Sequence, residues 1–402
     1  MEHAPSLPLD WDVEADVVVV GFGAAGVATA VTAHELGAKI VILEKAPEGQ
    51  EGGNTRVAGQ GYLNTSSVED AVAYLSALCG AYTVPPKMVR VWAEEMCRNN
   101  EWLASLGGDP QEHQHQPVGI EFPDLPGIPY CYTSGSPYNE GDGITMAMSV
   151  GADLWHMNNY AGPSMALKVP EIRTSFSMQA LHFSKKMPGG MIVVGPDGRR
   201  FADEKFKTRH GKIPVNGRWL PLSTPCPMFM IFDHALFSAG PLYDKNPSHG
   251  WTQIIERYEW SEGNSAELEK GWIKAADNIA ALAAIIGLDP KALGETVGRW
   301  NRYCDAGHDA DFGRILMMEP LAEPPFYAVE LSPSMLNTQG GPRRNEKGQI
   351  VRPDGTPIPR LYSAGELGSI YSYLYQGTGN IGECLAFGRV SGRNAAAETA
   401  WD

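Results

Sequence analysis

Cysteine is scarce in this chain and never appears in a spacing that carries chemistry. The six cysteines, Cys79, Cys97, Cys131, Cys226, Cys304 and Cys384, are scattered through 402 residues without a CxxC pair. That argues against a disulfide framework, a paired-cysteine zinc site and, with no CxxCH, covalently attached haem. A basic stripe is missing too. Lys and Arg total 32 against 47 Asp and Glu, a net charge of −15, which disfavours nucleic acid and anionic membranes as partners. No apolar run approaches the roughly 20 residues of a membrane span. The N-terminus lacks a basic segment followed by an apolar one, so no secretory signal and a cytoplasmic location are expected. No internal repeat is apparent. His113 and His115 share a polar loop without further ligands, so no metal is expected there.

What is present is a composition of 43% hydrophobic and 20% charged residues, that of a globular chain with ample core. The most informative stretch is 15–45. A β-branched run, VVVV, feeds the turn GFGAAG, a small-residue helix and a second apolar run, IVIL, that ends at Glu44 and Lys45. Gly21 permits the tight turn, Gly23 lets backbone approach a pyrophosphate and Gly26 lets helix and strand pack closely. The helix N-terminus offers N–H groups and a positive dipole end to phosphates. Glu44 is placed to accept from a ribose hydroxyl. Strand, turn, helix, strand and acid in this order point to a nucleotide site.

Further along, a second glycine-rich loop occupies 51–67. Helices are predicted over 68–81, 85–107, 142–156, 265–286 and 290–304, with a loop over 109–140. A hairpin is predicted around Pro196, Asp197 and Gly198. The last segment, from about 361, returns to strand, glycine loop and helix. Gly377, Thr378 and Gly379 precede a helix starting near Asn380, whose positive end would stabilise negative charge on a bound group. The expected class is α/β: a Rossmann-like nucleotide-binding domain split between the chain ends (1–156 and 325–402), with an inserted α+β capping domain over 157–324.

These pieces resemble the FAD-dependent fumarate reductase and 3-ketosteroid dehydrogenase flavoproteins. The matching segments are GFGAAG with Glu44 and Lys45, GGNTRVAGQG, GSPYNEGDGITMAMSVGADLW, GRRFADE with Arg209 following, NTQGG, and LYSAGE through GTGNIGECLAFGRVSG. The resemblance implies that FAD is held by Gly21, Gly23, Ala25, Gly26, Glu44, Lys45, Asn54, Thr55, Gly59 and Gly61, with Asp142, Glu366, Asn380 and Ile381. Members with covalent flavin carry a histidine where this chain has Asn54 and Thr55, so non-covalent FAD is implied.

The departures narrow the substrate. Fumarate reductases use a histidine where this chain has Asn337, and an arginine where it has Tyr375, so a dicarboxylate would lose its bidentate clamp. Ketosteroid dehydrogenases pair a tyrosine with a glycine N–H on a ketone oxygen, and Tyr375 and Gly379 look like that pair. A third departure is an apparent internal deletion around 127–135. The family's β-meander and a strand completing the FAD sheet have no counterpart here.

The resemblance therefore implies hydrogen transfer across a C–C bond next to a ketone, on a small hydrophobic ketone of steroid type, with an external electron acceptor. Arg209 aligns with the fumarate reductase proton donor, relayed through acids such as Glu204. The α-proton base is not placed by motif; Tyr243, Tyr258, Tyr303 and Tyr327 are candidates. Two other readings stand beside this one. A carboxylate reductase would need Arg173, Arg343 or Arg344 as its clamp, and a truncated flavoprotein would serve only as a binding module. Met146, Met148 and Met157 are read as packing.

Overall fold

The computed structural model describes residues 11–58, 61–80, 82–111, 132–162, 164–176, 178–181, 186–205, 211–215, 218–222, 224–243, 258–375 and 377–399. The opening unit forms as the pattern dictates. Strand β1 (Val17–Val20) pairs in parallel with β2 (Ile40–Leu43), and helix α1 (Ala24–Glu35) crosses between them. Gly21 turns the chain at φ +101°, a conformation that favours glycine.

Small residues along α1 admit the C-terminal helix, Gly379–Ala396, at close range. A methyl group on Gly388 would lie 2.5 Å from the Ala28 Cβ and 2.9 Å from the Ala25 carbonyl, and one on Gly392 would lie 2.6 Å from the Thr29 carbonyl. Gly388 faces the first turns of α1 and Gly392 faces later ones, so the two helices run parallel. This register carries the start of the C-terminal helix about 10 Å beyond the start of α1, at 1.5 Å per residue.

Helices Val68–Cys79 and Pro86–Met96 cover the other side of the C-terminal helix, with Trp92, Tyr371, Tyr373 and Phe387 in a shared core. Ser67 caps the first of these through the Asp70 N–H, and Pro86 opens the second. The middle of the chain builds around the long strand Phe326–Met335. One half pairs with Met228–Phe232 and Ile273–Ala276, and the other with Ser164–Lys168 and, in parallel, Tyr132–Thr133.

Several expectations are corrected. The region 265–286 is a short helix Ser265–Glu269, a strand Ile273–Ala276 and a helix Ile279–Ile285, because Gly271 turns at φ +72° and Ile273 enters the sheet opposite Val329. The expected helix over 85–107 is two, Pro86–Met96 and Asn99–Ser105. The buried Asn99 amide donates to the Leu63 and Gly382 carbonyls. The helix expected to reach 156 stops at Ser149, before Gly151 at φ +86°, and Leu154–Trp155 instead pairs with Gly341–Pro342. Met146, Met148 and Met157 are 47%, 54% and 50% exposed, so they do not pack in a core.

Among the described residues the parallel sheet has only these two strands. Val17 and Val19 are buried, whereas Val18, Val20 and Leu43 face open solvent at 56%, 63% and 52% exposure. A parallel sheet is ordinarily covered on both faces. Residues 112–131, which include part of the 127–135 junction, lie outside the described residues. No helix among the described residues is long and apolar enough to cross a membrane.

His156 locks the corner between these parts. It adopts φ +55°, stacks on Trp155 with ring centroids 4.2 Å apart, and donates from Nδ1 to the Ser369 carbonyl at 2.7 Å. Burial pushes its pKa down to about 4. The unfolded chain therefore binds the proton more readily between pH 6.5 and 4. The stability contribution is complete above about 6.5 and is lost as pH falls through about 4. Urea denaturation at acid and neutral pH is expected to show His156→Gln losing about 2 kcal/mol of that pH dependence. Gly388→Ala is expected to cost about 2 kcal/mol at neutral pH, since the added methyl would press on the Ala28 Cβ and the Ala25 carbonyl and push the helices apart.

Candidate functional site

The glycine turn and its surroundings form one end of the site. A methyl group on Gly26 would run into the Gly21 carbonyl, so close packing there demands glycine. Gly23 precedes α1 without a side-chain cap of its own, while Thr55 Oγ1 accepts from the Ala24 N–H at 3.2 Å. Ala25 follows on the first turn. A cleft of about 450 Å³ opens here, lined by Phe22, Gly23, Ala24, Thr55, Trp102 and Leu385 among others. Glu44 fastens the turn to the end of β2, accepting from the Phe22 and Ala46 N–H groups at 2.8 Å each. Each of its oxygens keeps a further lone pair for a ligand hydroxyl. Lys45 bonds Glu140 at 2.8 Å and also Asp142, which opens the helix Asp142–Ser149, on an exposed surface.

The other end is built around the buried carboxylate of Glu366. It accepts from the side-chain amides of Asn54 at 2.9 Å, Asn337 at 2.8 Å and Asn380 at 2.6 Å. Burial raises its pKa, and the three amides pull it back down. Among the described residues the bonds to this acid thus come from neutral donors on three separate segments. Gln339 extends the cluster, donating to Asn380 Oδ1 at 3.3 Å.

The start of the C-terminal helix lies beside this carboxylate. Gly377 and Thr378 both take positive φ, and the Gly379 N–H turns back onto the Gly377 carbonyl at 2.6 Å. That bond occupies the donor expected to pair with Tyr375. A helix start leaves its following N–H groups open, here those of Asn380 and Ile381. Gly61 sits against the Thr378 side chain. The Tyr371 hydroxyl abuts Gly379 so closely that a methyl group there is impossible.

The three tyrosines divide by role. Tyr371 and Tyr373 are each 1% exposed and belong to the core. Tyr373 donates to the Trp219 carbonyl and stacks on Tyr82. Tyr375 is half-buried and lies 5.8 Å from Tyr371 between ring centroids; burial raises its pKa, reinforced by Glu366. Two buried polar atoms at this junction, Tyr371 Oη and Gln339 Oε1, have no hydrogen-bond partner among the described residues. Buried polar atoms are ordinarily satisfied, so this end fits a polar ligand.

Other expected residues lie elsewhere. Arg344 is fully buried and ion-paired with Glu383, and it also donates to the Gly365 and Leu367 carbonyls. Arg343 pairs with Asp153 at 2.9 Å, and Arg173 is exposed over the Tyr138 ring at 4.7 Å. Glu204 is held by Arg200 at 2.7 Å and Arg314 at 3.1 Å in a buried network with Asp309. Tyr258 donates to Glu267, Tyr303 to Asp311, and Tyr327 is 3.0 Å from His234 Nδ1. Tyr243 is buried in the core around Trp260. Arg209, Gly59, His113 and His115 lie outside the described residues.

Sequence reasoning missed Asn159 and Gln339, which join the segments of this end, and Lys212 behind them. Asn159 donates to the Tyr371 carbonyl at 2.7 Å, and Lys212 donates to Asn159 Oδ1 at 3.1 Å. The available signal was polar side chains inside otherwise apolar or glycine-rich runs.

Comparison with known proteins accords with this geometry. The chain matches the family described as FAD binding domain over residues 16–122 and 116–381, two pieces that meet just ahead of the shortened junction. It is 44% identical to digoxin reductase of Eggerthella lenta over 131 residues, which are 32% of this chain and 23% of that protein. Against urocanate reductase of the same organism it is 26% identical over 475 aligned positions, covering 98% of this chain and 76% of the relative. That alignment runs longer than the 402 residues here, so the relative holds residues this chain lacks. In fold it is similar to the 3-ketosteroid Δ1-dehydrogenase of Sterolibacterium denitrificans, with a TM-score of 0.68, 17% identity and coverage of 95% of this chain and 99% of the other. With the family matched across most of its length, the chain belongs to the FAD binding domain family of flavin-dependent oxidoreductases.

Proposed function

We propose that this protein moves hydrogen across a C–C bond adjacent to a ketone, with non-covalent FAD and a hydrophobic, steroid-like ketone as substrate. The observation that carries this reading is the meeting of Tyr375, the helix start at Gly379 and the unpartnered Tyr371 hydroxyl beside the Glu366 cluster. An end built of hydroxyls, amides and helix N–H groups suits a neutral carbonyl oxygen. The arginines that a dicarboxylate would need are engaged by Glu383, Asp153 and Tyr138.

On this reading the glycine turn, Glu44 and Thr55 hold the ADP portion, and Asn54, Glu366, Asn380 and Ile381 hold the remainder. Segments 1–156 and 325–402 form the cofactor domain, and 157–324 caps the substrate. When bound, FAD supplies the two-electron exchange partner for a hydride at the β-carbon. The Tyr375 hydroxyl donates to the ketone oxygen, and the positive end of the C-terminal helix faces it. Both interactions strengthen as the α-proton leaves and negative charge gathers on that oxygen, so they favour the transition state over the ground state. Apolar walls from the Tyr371 core exclude water from the α-carbon.

Purification followed by a visible spectrum, with and without added FAD, tests the cofactor; a co-eluting flavin band is expected, and a colourless protein overturns the reading. Glu366→Gln leaves the three asparagine amides competing for one acceptor, and flavin per protein is expected to fall about tenfold or more. Tyr375→Phe is expected to lower kcat on a 3-ketosteroid about 100-fold with KM changed less than about threefold, as steady-state kinetics would read.

A further inference from the structure

Lys212 opens the strand Lys212–Val215, and its side chain is almost completely buried, the residue being 4% exposed. Its Nζ donates to Asn159 Oδ1 at 3.1 Å and approaches the Tyr160 carbonyl at 3.5 Å. The faces of Tyr373 and Tyr160 lie 5.3 and 5.9 Å from it. Among the described residues no carboxylate comes within ion-pair distance. Burial pushes its pKa down to about 8, with no acid opposing the shift. A buried ammonium held by neutral groups alone is costly, and buried charges are ordinarily paired.

The position of this cation gives it a use. Asn159 also donates to the Tyr371 carbonyl at 2.7 Å, and its own carbonyl accepts from the Gln339 N–H at 2.9 Å. Tyr160 pairs with Thr338 in a two-residue ladder. The ammonium is therefore one residue removed from both 337–341 and 371–375, the segments that flank the carbonyl site proposed above. We infer that Lys212 is the cation that meets a negatively charged substrate oxygen in this site. The inference rests on the proposed function. The shared chemistry is an anionic oxygen next to the reacting C–C bond. It comes either from a carboxylate on the substrate or from the enolate oxygen that a ketone develops as its α-proton leaves.

The test reads binding, so it stands whether or not the flavin reading holds. Cinnamate serves as the carboxylate probe, 4-nitrophenolate as the enolate probe and cinnamamide as the neutral control, each titrated calorimetrically into the protein as purified. The wild-type chain is expected to bind at least one anion, and Lys212→Met to weaken it about 30-fold or more while changing cinnamamide less than about twofold. Loss confined to cinnamate assigns the carboxylate source, and loss confined to 4-nitrophenolate assigns the enolate. Should Lys212→Met fail to fold, Lys212→Gln replaces it, with thermal unfolding as the check. The inference is overturned by wild-type protein that binds neither anion below about 10 mM. It is equally overturned by a folded variant that binds both anions as tightly as wild type, or one that loses cinnamamide in equal measure.

Discussion

The structure depends on the parallel contact between α1 and the C-terminal helix. Gly388 and Gly392 allow the backbones to approach over Ala25, Ala28 and Thr29, and a methyl group at either place would force a shift. Parallel helices bring two positive dipole ends to the same side of the molecule, an arrangement that is electrostatically unfavourable without an anion nearby. Close van der Waals packing offsets that cost within the protein. A ligand with negative charge near both helix starts would offset it further. The contact also ties residues 24–33 to residues 379–396.

Hydrogen bonding at the site follows from this contact. Asn380 reaches Glu366 because the C-terminal helix begins beyond the start of α1, and Asn54 reaches the same carboxylate from the short helix Gly53–Val57. The acid is then satisfied by amides rather than by a guanidinium. A carboxylate in such surroundings keeps its acceptor capacity for a hydroxyl, because no full positive charge competes for its lone pairs. Glu383, one turn along the same helix, is instead neutralised by Arg344 and fastens the 365–370 loop in place. Two buried acids on neighbouring segments thus have different work, set by their partners.

Local chemistry was legible in the sequence, and long-range pairing was not. The unit from Val17 to Glu44 could be read because each glycine answers a steric demand within a few residues. Pro86 marked a helix start for the same reason. The strand Ile273–Ala276 was hidden inside an alanine-rich, helix-like run, since its conformation is decided by pairing with the distant strand Phe326–Met335. The Asn54 to Glu366 bond joins residues 312 apart, and nothing near either one announces the other. Resemblance to the flavoprotein family carried Glu366 and Asn380 into view, but it gave no sign of Lys212.

The two-stranded parallel sheet of the described residues has a consequence for the behaviour of the chain in solution. With β1 and β2 pairing only with each other among the described residues, each strand presents an outer row of backbone donors and acceptors beside the bare side chains of Val18, Val20 and Leu43. Such an edge is a template for strand addition by any extended peptide that reaches it. The net charge of −15 opposes self-association at low ionic strength, but salt shortens the reach of that repulsion to about 8 Å at physiological strength. Colloidal stability of this protein is therefore governed by the ionic strength of its surroundings as much as by its fold.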